Sequence, residues 1–170
     1  LLTKKNSRYY VVVGATNSSK KHFVNLVNKL YPTVDQNQLQ KWMTGDKKYP
    51  CRTDFLKKHH VGVHFIYIRA PASLCVERML ASGKMTEFRW DAKCNPDTVE
   101  DDQVLVDHMS TIVSRYEDKY YVPFLETKDR YKKTGYLVSI DNYECRVIVV
   151  DNDTQGDDHL IERVHDIFGE

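Results

Sequence analysis

The hydrophobic and polar positions along the chain follow two kinds of pattern. Short runs of apolar, β-branched residues are typical of buried strands, and apolar residues three or four positions apart are typical of amphipathic helices. The predicted strands are Tyr9–Val13, Val61–Ile68, Leu137–Ile140 and Val147–Val150. The predicted helices are Ser18–Leu30, Gln36–Met43, Asp54–His59, Ala72–Leu80, Asp97–Leu125 and Asp157–Phe168.

The order of these elements predicts the fold class. Strands that alternate with helices favour an α/β fold, a parallel sheet with helices on both faces, here as a single domain over residues 1–170. In such sheets ligands bind beyond the carboxyl ends of the strands. Gly14–Lys21 and Arg69–Ala72 both follow predicted strands and are expected at that edge. Arg69 is expected either to serve the site or to pair there with an Asp or Glu.

The longest predicted helix has one apolar face and a proline near its end. Pro123 is expected to bend or end this helix, because proline lacks the backbone N–H that a helix interior needs. The residues of the apolar face, which are expected to be buried, are Leu105, Met109, Ile112, Tyr116 and Tyr120.

The amino-acid composition limits which partners and which cellular compartment are expected. A hydrophobic share of 41% and a charged share of 29% over 170 residues indicate an ordinary globular domain. The net charge of +1 gives no general attraction to nucleic acid, which is not an expected partner, and no apolar run reaches membrane-spanning length. Four widely spaced cysteines predict reduced thiols in an intracellular compartment, either the cytoplasm or an organelle matrix. The chain opens with Leu1, so a targeting segment could have been removed.

The stretch after the first strand matches a phosphate-binding loop in register. The template is a glycine, four residues, a second glycine, a lysine and a hydroxyl residue. Gly14 takes the first glycine position and Lys20 the lysine position, whereas Ser19 replaces the second glycine and Lys21 replaces the hydroxyl residue. The residues predicted to contact a nucleotide are Gly14, Asn17, Ser18, Ser19, Lys20 and Lys21.

The two replacements predict a degenerate loop. Ser19 adds a Cβ where the backbone must close around phosphates. Lys21 places a cation where a hydroxyl normally helps to hold Mg²⁺. We therefore expect ATP as the ligand with little support for Mg²⁺, and no residue is assigned as a metal ligand. The alternative is an ordinary strand–turn–helix connection with a serine cap and solvated lysines.

The segment His64–Lys84 resembles the strand, helix and lid entry of adenylate and UMP/CMP kinases, in which an apolar strand, a proline turn and a Glu-Arg pair precede a glycine. Tyr131–Asp141 and Asp158–Phe168 resemble the final strand and closing helix of the same P-loop nucleotide kinases, and deoxynucleoside kinases fit the tail equally well. The resemblance implies a P-loop kinase-like three-layer sandwich. The chain departs from the family in lacking an Asp-Gly-Phe-Pro-Arg segment and a clear Mg²⁺-supporting Asp.

The resemblance also implies roles for individual residues. Lys20 would contact the β- and γ-phosphates, and Gly14 would provide the turn of the loop. Arg78, Lys84 and Arg89 would neutralise charge on the transferring phosphoryl group. The alternative for these three cations is a solvated charged loop.

Two functions are compatible with these patterns. The chain is expected to be a degenerate nucleotide-kinase-like domain that acts as a structural or nucleotide-sensing subunit of a larger assembly, with protein partners. The alternative is an active nucleotide or nucleoside kinase that transfers the γ-phosphoryl group of ATP to a nucleotide acceptor. An unrelated α/β protein or a nucleic-acid-binding protein is less well supported.

Overall fold

The chain folds around one sheet with helices along it. The structure is a computed structural model that describes residues 9–15, 17–34, 39–41, 57, 62–82, 102–126, 135–140, 142–154 and 156–169. Its strands are β1 (Tyr9–Val13), β2 (Leu39–Lys41), β3 (Val63–Arg69), β4 (Tyr136–Ile140) and β5 (Tyr143–Asp151). Its helices are α1 (Lys20–Leu30), α2 (Ala72–Ser82), α3 (Asp102–Tyr116), α4 (Val122–Leu125) and α5 (Asp158–Phe168), and a π-helical turn (Glu117–Tyr121) joins α3 to α4.

The sheet has the strand order β2-β1-β3-β5-β4. The first four strands in this order are parallel, and β4 is antiparallel to β5 at the edge. The predicted α/β class is confirmed, but the sheet is only mostly parallel. The reason is the hairpin between β4 and β5, in which Ile140 pairs with Tyr143 across a two-residue connection. So short a connection can only reverse the chain direction.

Alternate residues of the central strands enter two separate clusters of the core. Val11 and Tyr67 belong to the cluster that also holds Met79 of α2 and Met109 of α3. The neighbours of these strand residues point to the opposite face, where they meet residues of α1 and α5. The buried members of this second cluster are Val12, Phe23, Leu26, Val27, Ile66, Ile68, Ile148, Val150, Leu160, Val164 and Ile167. Both faces of the sheet are therefore covered by helices.

One predicted helix is wrong where the structure describes it. Leu39–Lys41, within the predicted helix Gln36–Met43, is a strand that pairs with Tyr10–Val12. The pattern there is too short to separate the two periodicities, and pairing with β1 decides the conformation. The other residues of Gln36–Met43 lie outside the described part, as does all of Asp54–His59 except Lys57, which is helical.

The remaining elements follow the predictions with shifted ends. Four of the five residues predicted for the buried face of the long helix are buried, and Ile112 is half-buried. The helical path continues through Pro123 by way of the π-helical turn. No helix in the described parts of the chain is long and apolar enough to cross a lipid bilayer.

The connections at the carboxyl edge of the sheet place the candidate site. The chain leaves β1 toward β2 on one side, and it leaves the neighbouring strand β3 toward β4 and β5 on the other side. This arrangement is a topological switch point, where open α/β sheets bind ligands. The loop after β1 and the turn after β3 therefore flank this switch point.

Candidate functional site

Gly14 begins the loop after β1, in a position that only glycine fits. Its φ is 154°, and a Cβ built there would lie 2.6 Å from the Ile68 carbonyl oxygen and 2.7 Å from the Ser18 hydroxyl oxygen. Real Cβ atoms do not approach backbone oxygens so closely. The first glycine of the predicted loop is thus required by close packing against β3.

Ser19 stands in the second glycine position with a left-handed backbone. Its φ is 82°, and Asn17 two residues earlier has a φ of 62°. The Ser18 N–H donates to the Ala15 carbonyl at 3.1 Å, which closes the turn between them. Residues other than glycine rarely adopt the left-handed region. The chain therefore keeps the conformation that the missing glycine would favour.

Lys20 is the first residue of α1, and its ammonium folds back onto the loop. Nζ donates to the Gly14 carbonyl at 2.6 Å and to the Ala15 carbonyl at 2.9 Å. The residue is 6% exposed. A positive charge is thus held against the loop, beside the first N–H groups of α1, which a helix leaves without intrahelical acceptors.

Ser18 contributes a buried hydroxyl at the centre of the loop. The residue is fully buried, and its Oγ has no hydrogen-bond partner among the residues that the structure describes. A buried hydroxyl without a partner is unfavourable, because desolvation is not compensated. The Oγ lies against Gly14, 2.7 Å from where a Cβ of that residue would be.

The simple alternative of a serine cap with solvated lysines does not fit this geometry. Ser19 occupies the cap position but makes no side-chain hydrogen bond to the helix, because a normal cap has an extended backbone. For the same reason the helix begins at Lys20 and not at Ser18. Lys21 is exposed, as that alternative requires, but Lys20 is buried.

Arg78 of α2 lies beside the loop, whereas the other predicted cations are not described. Its guanidinium donates to the Asn17 carbonyl at 3.3 Å and to the Thr154 carbonyl at 3.5 Å. Burial raises the pKa of the neighbouring Cys75 thiol to about 11, although the positive charges of Arg78 and Lys20 lower it. Arg89 and Lys84 lie outside the described residues.

The loop after β5 supplies polar residues that the sequence analysis did not assign to the site. Asn152 is 1% exposed, and its Nδ2 donates to the Ser18 carbonyl at 2.9 Å. Its Oδ1 lies 2.6 Å from Nε2 of His159 at the start of α5. The signal was present in the sequence, since Asp151, Asn152 and Asp153 directly follow an apolar strand and so lie at the carboxyl edge.

A second polar cluster surrounds Arg69 at the end of β3. Arg69 Nε donates to Glu117 Oε1 at 2.7 Å and Nη1 to Asp151 Oδ1 at 3.3 Å, so the predicted pairing with acidic residues is confirmed. The guanidinium carbon lies 3.8 Å from the centre of the Tyr121 ring. Burial, and next the charge of Glu117, raise the pKa of Tyr67, which therefore stays protonated.

The site thus offers backbone N–H groups, an ammonium and a buried hydroxyl, a donor set suited to an anion rather than to a metal. Among the described residues, no three His, Cys, Asp or Glu side chains are grouped so that they could hold a metal ion. Comparisons of this chain with protein-family models, with curated proteins and with solved structures find no match.

Proposed function

We propose that this chain is a nucleotide-binding domain of the P-loop kinase type, whose degenerate loop receives the phosphates of ATP. In this proposal the domain acts as a nucleotide-sensing subunit of a larger assembly and does not transfer phosphate efficiently. The observation that carries the proposal is the left-handed backbone of Ser19 directly before the buried Lys20.

The backbone conformation of Ser19 supports a phosphate loop, because strained conformations of this kind are concentrated at functional sites. The second glycine of such loops lets successive N–H groups turn toward one anion. Serine adopts a φ near 82° only rarely, yet Ser19 does so at the glycine position. The left-handed backbone at this position supports the proposal, although the residue that usually permits it is absent.

The donors around the loop match the charge of a polyphosphate. The amino end of α1 carries a partial positive charge, and Lys20 adds a full one. The hydroxyl of Ser18 can donate to a phosphate oxygen, which would relieve its burial without a partner. The sheet with helices on both faces and the loop at its switch point suit the three-layer kinase-like fold.

The residue after Lys20 favours sensing over catalysis. In working P-loop enzymes a hydroxyl at this position helps to hold the Mg²⁺ that bridges the phosphates. Lys21 has no oxygen ligand to offer, and its exposed side chain lies on the surface of α1. Phosphoryl transfer would therefore lack one of its usual supports.

One observation favours the alternative, an active nucleotide or nucleoside kinase. Arg78 touches the Asn17 carbonyl of the loop, so a cation on α2 is already next to the place where phosphates would lie. Cations in such positions stabilise the charge of the transferring group. ADP formation from Mg²⁺–ATP that depends on an added nucleoside or nucleoside monophosphate would establish the kinase and refute the sensing role.

The test is calorimetric titration of the purified chain with ATP and with inorganic tripolyphosphate. We expect both ligands to bind, and we expect Lys20→Met to weaken the binding of both by ten-fold to one hundred-fold, roughly the value of a hydrogen bond to a charged group. The comparison of the two ligands separates recognition of the phosphates from recognition of the base.

The matched control is Lys29→Met, which removes an exposed lysine from the last turn of the same helix. We expect this variant to bind ATP as the wild type does. If Lys20→Met and Lys29→Met bind alike, or if the wild type binds neither ligand at millimolar concentration, the loop is not a phosphate site.

A further inference from the structure

Asn152 joins three segments that meet at the carboxyl edge of the sheet. Its side-chain Nδ2 donates to the Ser18 carbonyl at 2.9 Å, and its backbone N–H donates to the Arg69 carbonyl at 2.7 Å. We infer that Asn152 is a positioning residue that holds the phosphate loop in its binding conformation, an inference that rests on the proposed function of that loop.

The hydrogen bond to Ser18 acts on the strained torsion of Ser19. The Ser18 carbonyl and the Ser19 nitrogen belong to one rigid peptide plane. Asn152 holds this plane on one side of the Ser19 torsion. On the other side, the Phe23 N–H donates to the Ser19 carbonyl at 2.9 Å and ties Ser19 to α1. Together the two hydrogen bonds restrict rotation about the N–Cα bond of Ser19, which would otherwise return to a more favourable φ; we call this pair of bonds the brace.

The same bond orients a backbone donor of the loop. A trans peptide points its C=O and its N–H in opposite directions. Holding the Ser18 carbonyl against Asn152 therefore turns the Ser19 N–H away from the β5 side of the loop. Because backbone N–H groups are the phosphate ligands of such loops, the direction of this donor depends on Asn152.

His159 fixes the orientation of the Asn152 amide. Since Nδ2 of Asn152 donates to Ser18, its Oδ1 must accept, and His159 Nε2 at 2.6 Å must carry the hydrogen. In the neutral ring Nδ1 then accepts from the Thr154 hydroxyl at 3.4 Å. Each side chain thus donates to the next one: Thr154 to His159, His159 to Asn152, and Asn152 to the loop. If the Asn152 amide were flipped, its Oδ1 would face the Ser18 carbonyl oxygen, and two acceptors would meet without a hydrogen between them.

The test is a double-mutant cycle with Asn152→Ala and Ser19→Gly. We expect Asn152→Ala to lower ATP affinity about ten-fold when residue 19 is serine, because the loop relaxes. With Ser19→Gly present, we expect a loss of about three-fold or less, because glycine adopts the left-handed conformation without steric cost and so depends less on the hydrogen bond from Asn152. A residue needed only for folding would give the same loss in both backgrounds, and that result overturns the inference.

Melting temperatures without nucleotide test the inference independently of the proposed function. We expect Ser19→Gly to raise the melting temperature by about 2 °C while Asn152 holds the strain, and to give no rise beside Asn152→Ala. An equal rise in both backgrounds contradicts the brace. If the rises differ as expected but wild type binds no ATP, the brace stands and the proposed function fails.

Two further variants complete the design. Asp153→Ala changes the next, exposed residue of the same loop and is expected to alter neither the affinity nor the effect of Ser19→Gly. If Asn152→Ala does not fold, His159→Ala replaces it in the cycle, because His159 is only half-buried. We then expect a smaller effect of the same sign, and its absence refutes the inference.

Discussion

Ser19 carries the least favourable backbone conformation of the candidate site. An L-residue in the left-handed region costs about 1–2 kcal/mol. Asn17 and Asn142 also have positive φ angles, but asparagine tolerates them through local hydrogen bonds of its short side chain. Serine is less suited to this conformation. The loop contacts must therefore maintain it, as they would maintain strain at a functional site.

At this scale we predict the effect of restoring the two replaced loop residues. Ser19→Gly together with Lys21→Thr should strengthen binding of Mg²⁺–ATP, because the loop relaxes and a hydroxyl returns for the metal. Binding of metal-free ATP should weaken, since one positive charge leaves. Wild-type affinity should change little when Mg²⁺ is chelated. The measurement is ATP affinity of both proteins with and without Mg²⁺.

The two single variants serve as controls in that experiment. Ser19→Gly alone should leave the Mg²⁺ dependence as it is in the wild type, whereas Lys21→Thr alone should introduce part of it. An unchanged Mg²⁺ dependence in the double variant means that Gly14–Lys21 does not hold phosphates, and the kinase-like interpretation then loses its main support.

At the scale of elements, the helix that runs from α3 through α4 shows how the chain accommodates Pro123. Proline cannot donate the N–H that a regular helix requires. The π-helical turn widens the path just before it, and the Val122 N–H donates to the Glu117 carbonyl five residues back. Within this turn Glu117 and Tyr121 both contact Arg69, so the irregular turn also shapes the end of β3.

The apolar face of α3 gives the prediction for this scale. Met109 is fully buried in the cluster on one face of the sheet. Met109→Asp should destabilise the domain by about 4 kcal/mol or more, because the carboxylate would be buried without a partner. Chemical denaturation measures the change. Ser114→Asp, at an exposed position of the same helix, should shift the free energy of unfolding by less than about 0.5 kcal/mol. Equal stability of Met109→Asp and wild type would show that this face is not packed.

The elements also show how far a sequence can predict this molecule. Strands such as β1 were predictable because three buried β-branched residues precede a glycine, whereas the assignment of the following loop to phosphates stays a prediction. The strand at Leu39–Lys41 was not predictable, because only its pairing with β1 distinguishes it from a helical turn. Asn152 was missed for a similar reason, since its partner Ser18 lies 134 positions away in the chain.

At the scale of the whole molecule, stability depends on helices that seal both faces of the sheet. Cys75 is fully buried on α2, one of these helices. Burial raises the pKa of its thiol from 9.0 to about 11. Between these values the unfolded chain releases the proton first, so the free energy of unfolding must fall as the pH rises.

We therefore predict a specific alkaline loss of stability. The thiol of Cys75 should contribute a total loss of about 2 kcal/mol between pH 9 and 11, and almost none below pH 8. Cys75→Ala lacks this contribution, so the stability difference between wild type and variant should shrink by about 2 kcal/mol over that interval. Denaturation curves at pH 7, 9 and 11 measure it. A difference that stays constant to pH 11 contradicts the burial of the thiol.

Because Lys20 donates to two carbonyls of its own loop, those two oxygens compete with any entering anion for the ammonium. A phosphate that enters must exchange places with the Gly14 and Ala15 oxygens, so the affinity measured is the difference between two sets of bonds. A singly or doubly charged anion gains little from that exchange, whereas the several charges of a triphosphate gain more. We therefore expect tripolyphosphate to bind this loop more tightly than inorganic phosphate does, because it carries more negative charges.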